Sequence, residues 1–474
     1  MSTREFNRKY GLNINANSND LFKRVSNSGN NFVNVAGKPK KILIEILKRF
    51  FTNWAAVACT IIFIIILILS IVSTLSSMHD STKSISDTMF FNVPEWDSST
   101  NSLKVDSNGN LSFITMKGSP YVKYLPPSYN HWTSKTLFIS DEDYGKYINA
   151  FKNDYFGVLY NDYIKSSKDP GSAIKIITKT MIQANGKAIE SKEVQLNTYQ
   201  FYRAMNLYIF LGSIFKGVDL NAAGVSQNQI REIIAQIEKL NPSNPNLYPN
   251  SILGTNELGI DIWTSSWVGT WNAIKLALII ATIQTIIGVA VGCYLGFHVG
   301  SWIDTIIMRL IEIFVAPPAL IWLLLFASTF GTSDWTLIFA LVFTGWTGAV
   351  GGTRLFIITV KDSEFITASK SVGASKTRLI YKHALPAIIG KIANSYVSRI
   401  PGIIMSISSL AFLGFFKGDN TNLGALLVSA ASQAGTNFWI LLLPSVILLS
   451  ISVSLHFMAI GLHDALDPRV IKVK

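Results

Sequence analysis

Six long apolar runs follow one another along the 474-residue chain, separated by polar stretches of unequal length. They occupy residues 54–76, 273–297, 307–330, 335–358, 392–415 and 438–461. A helix needs about 20 predominantly apolar residues to cross a hydrocarbon core about 30 Å thick, and each run has roughly that length. The pattern predicts an all-α polytopic membrane protein with six transmembrane helices.

The polar stretches divide the chain into four parts. Residues 1–37 are rich in Asn and Ser and poor in aliphatic residues, so we expect a disordered tail. Residues 38–77 hold a basic flank and the first transmembrane helix. Residues 78–250 are long enough for a core of their own and are expected to form an inserted domain. Residues 251–474 hold transmembrane helices 2–6.

Local patterns inside the insert predict a mixed α/β domain. A β-hairpin is expected around Asn108-Gly109. Residues 199–215 are apolar enough to suggest a seventh span, but Arg203 leaves a clean run of only twelve residues, so we expect a buried helix. A second helix is predicted from isoleucines at helical spacing: Ile230, Ile233, Ile234 and Ile237.

Charge distribution sets the orientation in the membrane. Only 15% of residues are charged, against about a quarter in soluble domains. The net charge is +12, yet the region from Met78 to Val268 holds 17 basic and 18 acidic residues. The basic excess therefore flanks the apolar runs, as expected for cytoplasmic segments, and we expect contact with membrane lipid and no nucleic-acid partner.

Five basic residues precede the first run and place the N-terminus in the cytoplasm: Lys38, Lys40, Lys41, Lys48 and Arg49. Alternating spans then put residues 78–272 outside, the basic 359–391 loop inside and the C-terminus inside. Cys59 and Cys293 both lie in apolar runs, and the histidines are scattered. We therefore expect no disulfide, no metal site and no catalytic residue.

The stretch EFITASKSVGASKTRLIYKHALP, residues 364–386, reads as two short helices with a bend. It is not a phosphate loop, because Ser375 stands where that motif needs glycine. Gly373 permits the turn, Ser375 is suited to cap the second helix, and Pro386 is expected to end it. The first helix carries a narrow apolar stripe: Phe365, Ala368 and Val372. Docking to a partner protein and binding of anionic lipid are equally compatible with this pattern.

This segment resembles the cytoplasmic coupling loop of bacterial ABC importer permeases, which carries a Glu-Ala-Ala triplet, a glycine and a later Leu-Pro. The first and third residues of the triplet differ in this chain. The positions that correspond to the motif and to its oligopeptide/dipeptide branch are Glu364, Thr367, Ala368, Ser369, Gly373, His383, Leu385 and Pro386. Four further stretches resemble that branch, in the same order along the chain: 253–263, 302–320, 410–415 and 461–470.

The resemblance implies a type I ABC importer permease fold, with the 78–250 insert as an extra extracytoplasmic domain. It implies a permease subunit of an ATP-driven oligopeptide importer that forms half of the translocation pathway. The 361–386 loop would couple to the ATPase, and residues 251–474 would be the permease core. The implied partners are a second homologous permease subunit, two cytoplasmic ATPase subunits that carry ATP and Mg, a substrate-binding protein and the peptide. The chain itself would bind no cofactor and would not be an enzyme.

Two alternatives stay open. Related permeases that carry nickel, haem precursors or sugars share these motifs, so the cargo could belong to another class. The spans could also be the anchor of a surface or adhesion protein whose function lies in the insert.

Three further groups are candidate sites. A turn before the second span would lie near the extracytoplasmic entrance, as a structural turn or a substrate contact: Gly254, Thr255, Gly259 and Asp261. Arg309 and Glu312, three residues apart in the third run, are expected to pair inside the membrane, and Pro317-Pro318 should bend that run. A salt-bridged cap is expected at the end of the chain: Asp464, Asp467 and Arg469.

Overall fold

The computed structural model describes residues 42–77, 79–97, 99–130, 132–137, 158–159, 174–182, 188–216, 224–244, 246–413 and 423–466. The chain forms two compact units, residues 1–52 and 53–474. The described part of the first unit is the helix α1 (Ile42–Thr52), and the tail predicted for residues 1–37 lies outside the described residues.

The second unit is predominantly helical. Its helices before the fourth apolar run are α2 (Trp54–Ser76), α3 (Ile85–Thr88), α4 (Thr198–Ile214), α5 (Gln227–Leu240), α6 (Ile262–Phe297), α7 (Trp302–Val315) and α8 (Ala319–Phe330). The later helices are α9 (Asp334–Ile358), α10 (Glu364–Ser371), α11 (Lys376–Arg378), a π-helix (Leu379–Ala384), α12 (Leu385–Phe412), α13 (Leu423–Gln433) and α14 (Trp439–Leu466).

Four helices among the described residues are long and apolar enough to cross a membrane: α2, α6, α9 and α14. The pair α7 and α8 makes a fifth if it is one broken span, bent by 72°. The break falls at Pro317-Pro318, which confirms the predicted bend, since a proline cannot donate the helical hydrogen bond. Helix α12 is 28 residues long, but it does not combine length with enough apolar character to be counted with these helices. The count of six transmembrane helices therefore stays a prediction.

Glycines bring α6 and α9 into close contact. A Cβ atom added at Gly288 would lie 2.6 Å from the Ala349 Cβ, and one at Gly292 would lie 2.6 Å from the Val350 carbonyl oxygen. Gly296 meets Ile357 in the same way, at 2.7 Å. Small residues four apart let two helix backbones approach, as in membrane helix pairs generally.

Helix α12 packs its aliphatic face into the largest apolar cluster. Its buried members are Val397, Ile400, Ile403, Ile404, Ile407 and Leu410. They meet buried residues of α6, α8, α9 and α14, such as Ile280, Leu323, Leu341 and Ile451. Burial of each such side chain contributes about 1.5–3 kcal/mol relative to exposure in water, and packing contacts take over that role where the reference is lipid.

The prediction that Pro386 ends the second short helix is wrong. Helix α11 continues through the π-helix into α12, and Pro386 is the second residue of α12, directly after the π-helix. The change from π-helical to α-helical hydrogen bonding at this point accommodates a residue that has no N–H to donate.

Seven strands among the described residues lie between α3 and α4. They are β1 (Phe90–Pro94), β2 (Trp96–Asp97), β3 (Ser102–Leu103), β4 (Phe113–Lys117), β5 (Trp132–Leu137), β6 (Ile174–Ile182) and β7 (Ala188–Asn197). All pairs are antiparallel: β1 with β4, β2 with β3, and a three-stranded sheet in the order β5-β7-β6. The hairpin expected at Asn108-Gly109 is confirmed, because Gly109 has φ +84° and Val105 bridges Leu111.

Helices α4 and α5 pack together on β1. The four isoleucines predicted to face inward on α5 are all buried, and the Ser226 capping box starts the helix as local rules require. Phe91 of β1 lies 5.4 Å from Phe210 of α4, measured between ring centroids. Arg203 of α4 donates to Glu238 of α5. Residues 199–215 thus form the packed helix predicted for them.

Candidate functional site

We call residues 364–386 the knob. Its first helix ends in a Schellman motif: the N–H of Ala374 donates to the Ser369 carbonyl (3.1 Å) and the N–H of Gly373 to the Lys370 carbonyl (3.0 Å). Gly373 has φ +87°, a conformation in which an L side chain is strained. Ser375 then accepts from the Arg378 N–H (3.4 Å) and starts the next turn. The predicted bend and cap are confirmed.

A small apolar cluster fixes the knob to the long helices. Ile366 of α10 is 2% exposed and packs with buried residues of the π-helix and α12: Leu379, Ile380, Ala384 and Ile388. The cluster also contains Cys293 of α6 and Ile357 of α9. The cluster thus packs the knob against α6, α9 and α12.

The outer surface of the first helix of the knob carries small side chains whose hydroxyl groups bond within the helix itself. Three hydroxyls bond to carbonyls one turn back: Thr367 to Ser363 (3.2 Å), Ser369 to Phe365 (2.8 Å) and Ser371 to Thr367 (3.1 Å). The hydroxyl groups of Thr367 and Ser369, the two polar residues of the Thr-Ala-Ser triplet, thus have hydrogen-bond partners within the helix. The triplet therefore presents a surface similar to that of three alanines.

An apolar tip stands out from this surface. Val372 is 89% exposed and Phe365 is 47% exposed. A cleft of about 400 Å³ lies beside the tip and is lined by Ala368, Ser369, Val372, Gly373, Ala374, Arg378 and His383. Exposed apolar side chains beside a cleft form a surface suited to a protein partner.

The cleft brings together half of the motif residues. Ala368, Ser369, Gly373 and His383 line it, whereas Glu364 and Thr367 are exposed elsewhere on α10. Leu385 is half-buried and Pro386 is exposed, both on the first turn of α12.

The turn before α6 is a buried structural joint. Gly254 has φ +84°, and a Cβ atom there would lie 2.1 Å from the Leu125 carbonyl oxygen. Gly259 has φ +77°, and a Cβ atom there would lie 2.6 Å from the Ser84 hydroxyl. Asp261, 2% exposed, caps α6 by accepting from the Thr264 N–H (2.8 Å).

Thr255 ties this turn to the insert. Its hydroxyl is fully buried, donates to the Val122 carbonyl and accepts from the Leu125 N–H at 2.9 Å. Tyr199 of α4 donates to the Pro126 carbonyl at 2.8 Å. Burial raises the pKa of the Tyr199 phenol, and the charge of Asp261 raises it further, so the phenol stays a donor.

The remaining candidates lie apart from the knob. Arg309 donates to Glu312 at 2.6 Å on an exposed face of α7, in the contact that the spacing predicts. Asp464 lies 3.5 Å from the neighbouring His463. Asp467 and Arg469 fall outside the described residues.

The sequence analysis did not predict the ion pair between Asp304 and Arg354. Asp304 lies in the first turn of α7 and is 3% exposed, and Arg354 of α9 binds both of its carboxylate oxygens, at 2.7 and 2.8 Å. Asp304 also accepts from the Gly300 N–H at 3.1 Å. A single sequence gives no signal that connects two charges fifty residues apart.

Comparison with known families covers the part of the chain that holds the knob. Residues 288–472 match the family model of the binding-protein-dependent transport system inner membrane component. The apolar helices described above fit a multi-pass membrane protein, in which residues 288–472 are similar to transport permeases.

The curated relatives carry peptide transport names. The oligopeptide transport system permease protein OppC of Mycoplasma pneumoniae is 42% identical over 234 residues, covering 48% of this chain and 61% of the relative. The protein of the same name from Mycoplasma genitalium has the same identity and coverage. The dipeptide transport system permease protein DppC of Bacillus subtilis is 33% identical over 172 residues, covering 35% of this chain and 53% of the relative.

The resemblance to oligopeptide and dipeptide ABC permeases that the motifs indicate is thus confirmed. The chain spans 61% of the length of the first two relatives, so it matches a part of them.

Proposed function

We propose that this chain is the transmembrane permease subunit of an ATP-driven oligopeptide importer and forms half of its translocation pathway. The observation that carries the proposal is the match of residues 288–472 to transport permeases, together with relatives named for peptide transport. That region contains the knob. The activity, the cargo and the partners of the whole protein are part of the proposal.

The proposed topology has six transmembrane helices in a type I ABC importer permease fold. Helix α12 is the fifth span, and the α7–α8 pair is the third. Both termini and the 359–391 loop are cytoplasmic, and residues 78–272, which include the 78–250 insert, are extracytoplasmic. The charge of the flanking segments supports this orientation.

The knob is the proposed contact to a cytoplasmic ATPase subunit. Its apolar tip at Val372 and its slim α10 surface would enter a cleft on that subunit, and the Ile366 anchor would pass the movement to α6, α9 and α12. ATP and Mg bind to two separate ATPase subunits in this scheme. A second homologous permease subunit completes the pathway, and a substrate-binding protein delivers the peptide.

The other candidate groups have supporting roles. The turn that contains Gly254, Thr255, Gly259 and Asp261 holds the entrance side of α6 in place and does not contact substrate. Arg309 and Glu312 pair within the membrane, and the salt-bridged cap proposed at the cytoplasmic end consists of Asp464, Asp467 and Arg469.

A pair of glycine substitutions tests the coupling role. Gly373 and Gly331 both have positive φ, +87° and +79°, and a Cβ atom at either would meet nothing within 4 Å. Asp tolerates the left-handed C′ position that Gly373 occupies in the Schellman motif better than most residues. Gly331 has φ +79° and ψ −169°, which strains an Asp side chain more, so Gly331→Asp adds the same charge and at least the same strain outside the knob.

The assay is peptide-stimulated ATPase activity of the complex purified with its ATPase and binding-protein partners, in lipid. We expect Gly373→Asp to lose most of the stimulation, about tenfold or more, since it disrupts a rigid protein contact, and Gly331→Asp to keep it. Equal stimulation in both variants would refute coupling through the knob. If ATPase partners co-purify but show no response to peptide, the cargo belongs to another class of solute. If no ATPase partners co-purify, the proposed transport function is refuted.

A further inference from the structure

Helix α12 differs from the other long helices in what it exposes. Most of the exposed large side chains of α2 and α14 are apolar, for example Ile65 and Ile68 of α2 and Val453 of α14. Such faces are suited to lipid. On α12 most apolar side chains are buried, with Ile389 and Met405 exposed, and from Ser395 onward the outward face carries mainly small and polar residues.

That outward face follows the helical repeat closely. Its exposed positions are Ser398, Gly402, Met405 and Ser409, with half-buried Ser395, Arg399 and Ser406 in the adjacent row. A polar stripe on a helix within the hydrocarbon region has to face water or protein, because lipid cannot satisfy it. The pattern therefore turns this side of α12 away from lipid, toward water or a protein partner.

Arg399 is the single charged side chain of that stripe. It lies 14 residues after the start of α12, roughly 20 Å along the helix axis. Among the described residues it has no carboxylate partner, and its guanidinium makes one long hydrogen bond, to the Ser395 hydroxyl at 3.4 Å. Charged side chains inside membrane proteins are usually paired or functional, so an arginine that lacks an acid calls for an anionic ligand.

The space next to the guanidinium is open. A Cβ atom added at Gly352 of α9 would meet only Arg399, at 3.9 Å, and one added at Gly348, Gly351 or Gly402 would meet nothing within 4 Å. Gly348, Gly351 and Gly352 lie on the side of α9 that does not contact α6. Gly402 lies on the outward face of α12. A flexible backbone of extended peptide can lie against such a surface.

We infer that Arg399 binds carboxylate groups of the cargo, the C-terminal carboxylate above all, as the peptide passes between α9 and α12. The planar guanidinium presents paired N–H donors that match a carboxylate. This inference rests on the proposed function, because it assigns a specificity residue to the same pathway.

The test compares two peptides of identical sequence without Asp or Glu, one with a free C-terminal carboxylate and one with a C-terminal amide. Uptake is measured in proteoliposomes that contain the complete importer and its binding protein at saturating concentration. Because the binding protein is the same in every sample, a change in the acid-to-amide ratio between variants reports on the permease.

We expect Arg399→Gln to lower uptake of the acid peptide about tenfold relative to the amide, the loss that one charge-assisted hydrogen bond implies. Arg399→Lys should keep part of the preference. Lys391→Gln is the matched control: it removes a positive charge from the same helix, where Lys391 contacts Thr359 (3.4 Å), and it should leave the ratio unchanged.

A second pair keeps the arginine in place. Gly402 lies three residues after Arg399, and its open surroundings have room for a side chain. Gly402→Asp should neutralise the guanidinium and abolish the preference, whereas Gly402→Asn should preserve it. This pair remains informative if Arg399→Gln does not assemble.

Three outcomes would overturn the inference. An unchanged acid-to-amide ratio in both Arg399→Gln and Gly402→Asp would exclude carboxylate binding. Equal loss of both peptides, with loss of the second permease subunit on purification, would assign Arg399 to a subunit contact. Uptake that depends on anionic lipid in wild type and not in Arg399→Gln would assign it to a lipid phosphate. Failure of the wild-type complex to take up either peptide would instead refute the proposed function.

Discussion

Glycines at positions 288, 292 and 296 set the separation between α6 and α9. Each lies where a Cβ atom would be within 2.7 Å of α9, closer than van der Waals contact permits. Glycine usually destabilises a helix interior by about 0.5–1 kcal/mol relative to alanine. At these three positions, contact between the helices outweighs that cost.

The minimal substitution Gly292→Ala should therefore destabilise the protein. The added methyl would lie 2.6 Å from the Val350 carbonyl oxygen, so the helices must separate, at a cost of about 1–3 kcal/mol. Gly351→Ala is the matched control, because its Cβ would meet nothing within 4 Å and it should gain up to about 1 kcal/mol. Thermal unfolding midpoints in detergent would measure both. Equal midpoints would show that the helices do not pack through Gly292.

At this scale the sequence predicts local features well. The bend at Gly373 and the cap at Ser375 depend on residues within five positions of one another, and both were predicted. The spacing of Gly288, Gly292 and Gly296 is visible in the sequence, but the helix that they face is not. The open side of Gly352, next to Arg399, requires the packing of two helices that are distant in sequence.

At the scale of elements, the Asp304–Arg354 ion pair joins the start of α7 to α9. The Asp304 side chain is 4% exposed and that of Arg354 is 23% exposed, so water screens the pair weakly. The pair is bidentate, the geometry in which Arg and a carboxylate bind most strongly. It holds α7 at a fixed register before the bend at Pro317-Pro318.

Asp304→Ala should cost about 3 kcal/mol, because it leaves the Arg354 guanidinium without its partner in a mostly buried position. Asp304→Ala combined with Arg354→Ala should cost less than the sum of the two single variants. Lys117→Ala is the comparison variant: it removes an exposed ion pair with Asp87 and should change stability by less than about 1 kcal/mol. Additive costs at Asp304 and Arg354 would contradict the pairing.

At the start of α12, local sequence rules fail to predict the boundaries of the helices. Proline rules predicted a helix end at Pro386, and the structure has a continuous helix there because a π-helix precedes it. The apolar run 392–415 likewise predicted only part of α12, which begins at Leu385. Local propensity cannot include the packing of Leu379 and Ile380 against α6 and α9, which holds the helix together across this point.

At the scale of the whole molecule, the insert and the α6 entrance are interlocked. The N–H of Thr255 donates to the Leu125 carbonyl (3.0 Å), that of Tyr124 to the Asn256 carbonyl (3.1 Å) and that of Ile85 to the Gly259 carbonyl (2.9 Å). Asn437, before α14, donates to the Leu253 carbonyl at 2.8 Å. Turn residues predicted the hairpin and apolar patterning predicted the helices of the insert, but these bonds join segments more than 100 residues apart, which no local pattern reveals.

Thr255→Val is the sharpest test of this joint, because valine keeps the shape of threonine and removes its hydroxyl. The Leu125 N–H and the Val122 carbonyl then lose a buried partner, and we expect a loss of about 2 kcal/mol. Thr329→Val is the control, since the Thr329 hydroxyl bonds only to the Leu325 carbonyl of its own helix (2.8 Å) on an exposed surface. Thermal unfolding and limited proteolysis of residues 118–130 are the measurements. We expect earlier cleavage there in Thr255→Val alone, and the same proteolysis in both variants would mean that the insert is held in place by other contacts.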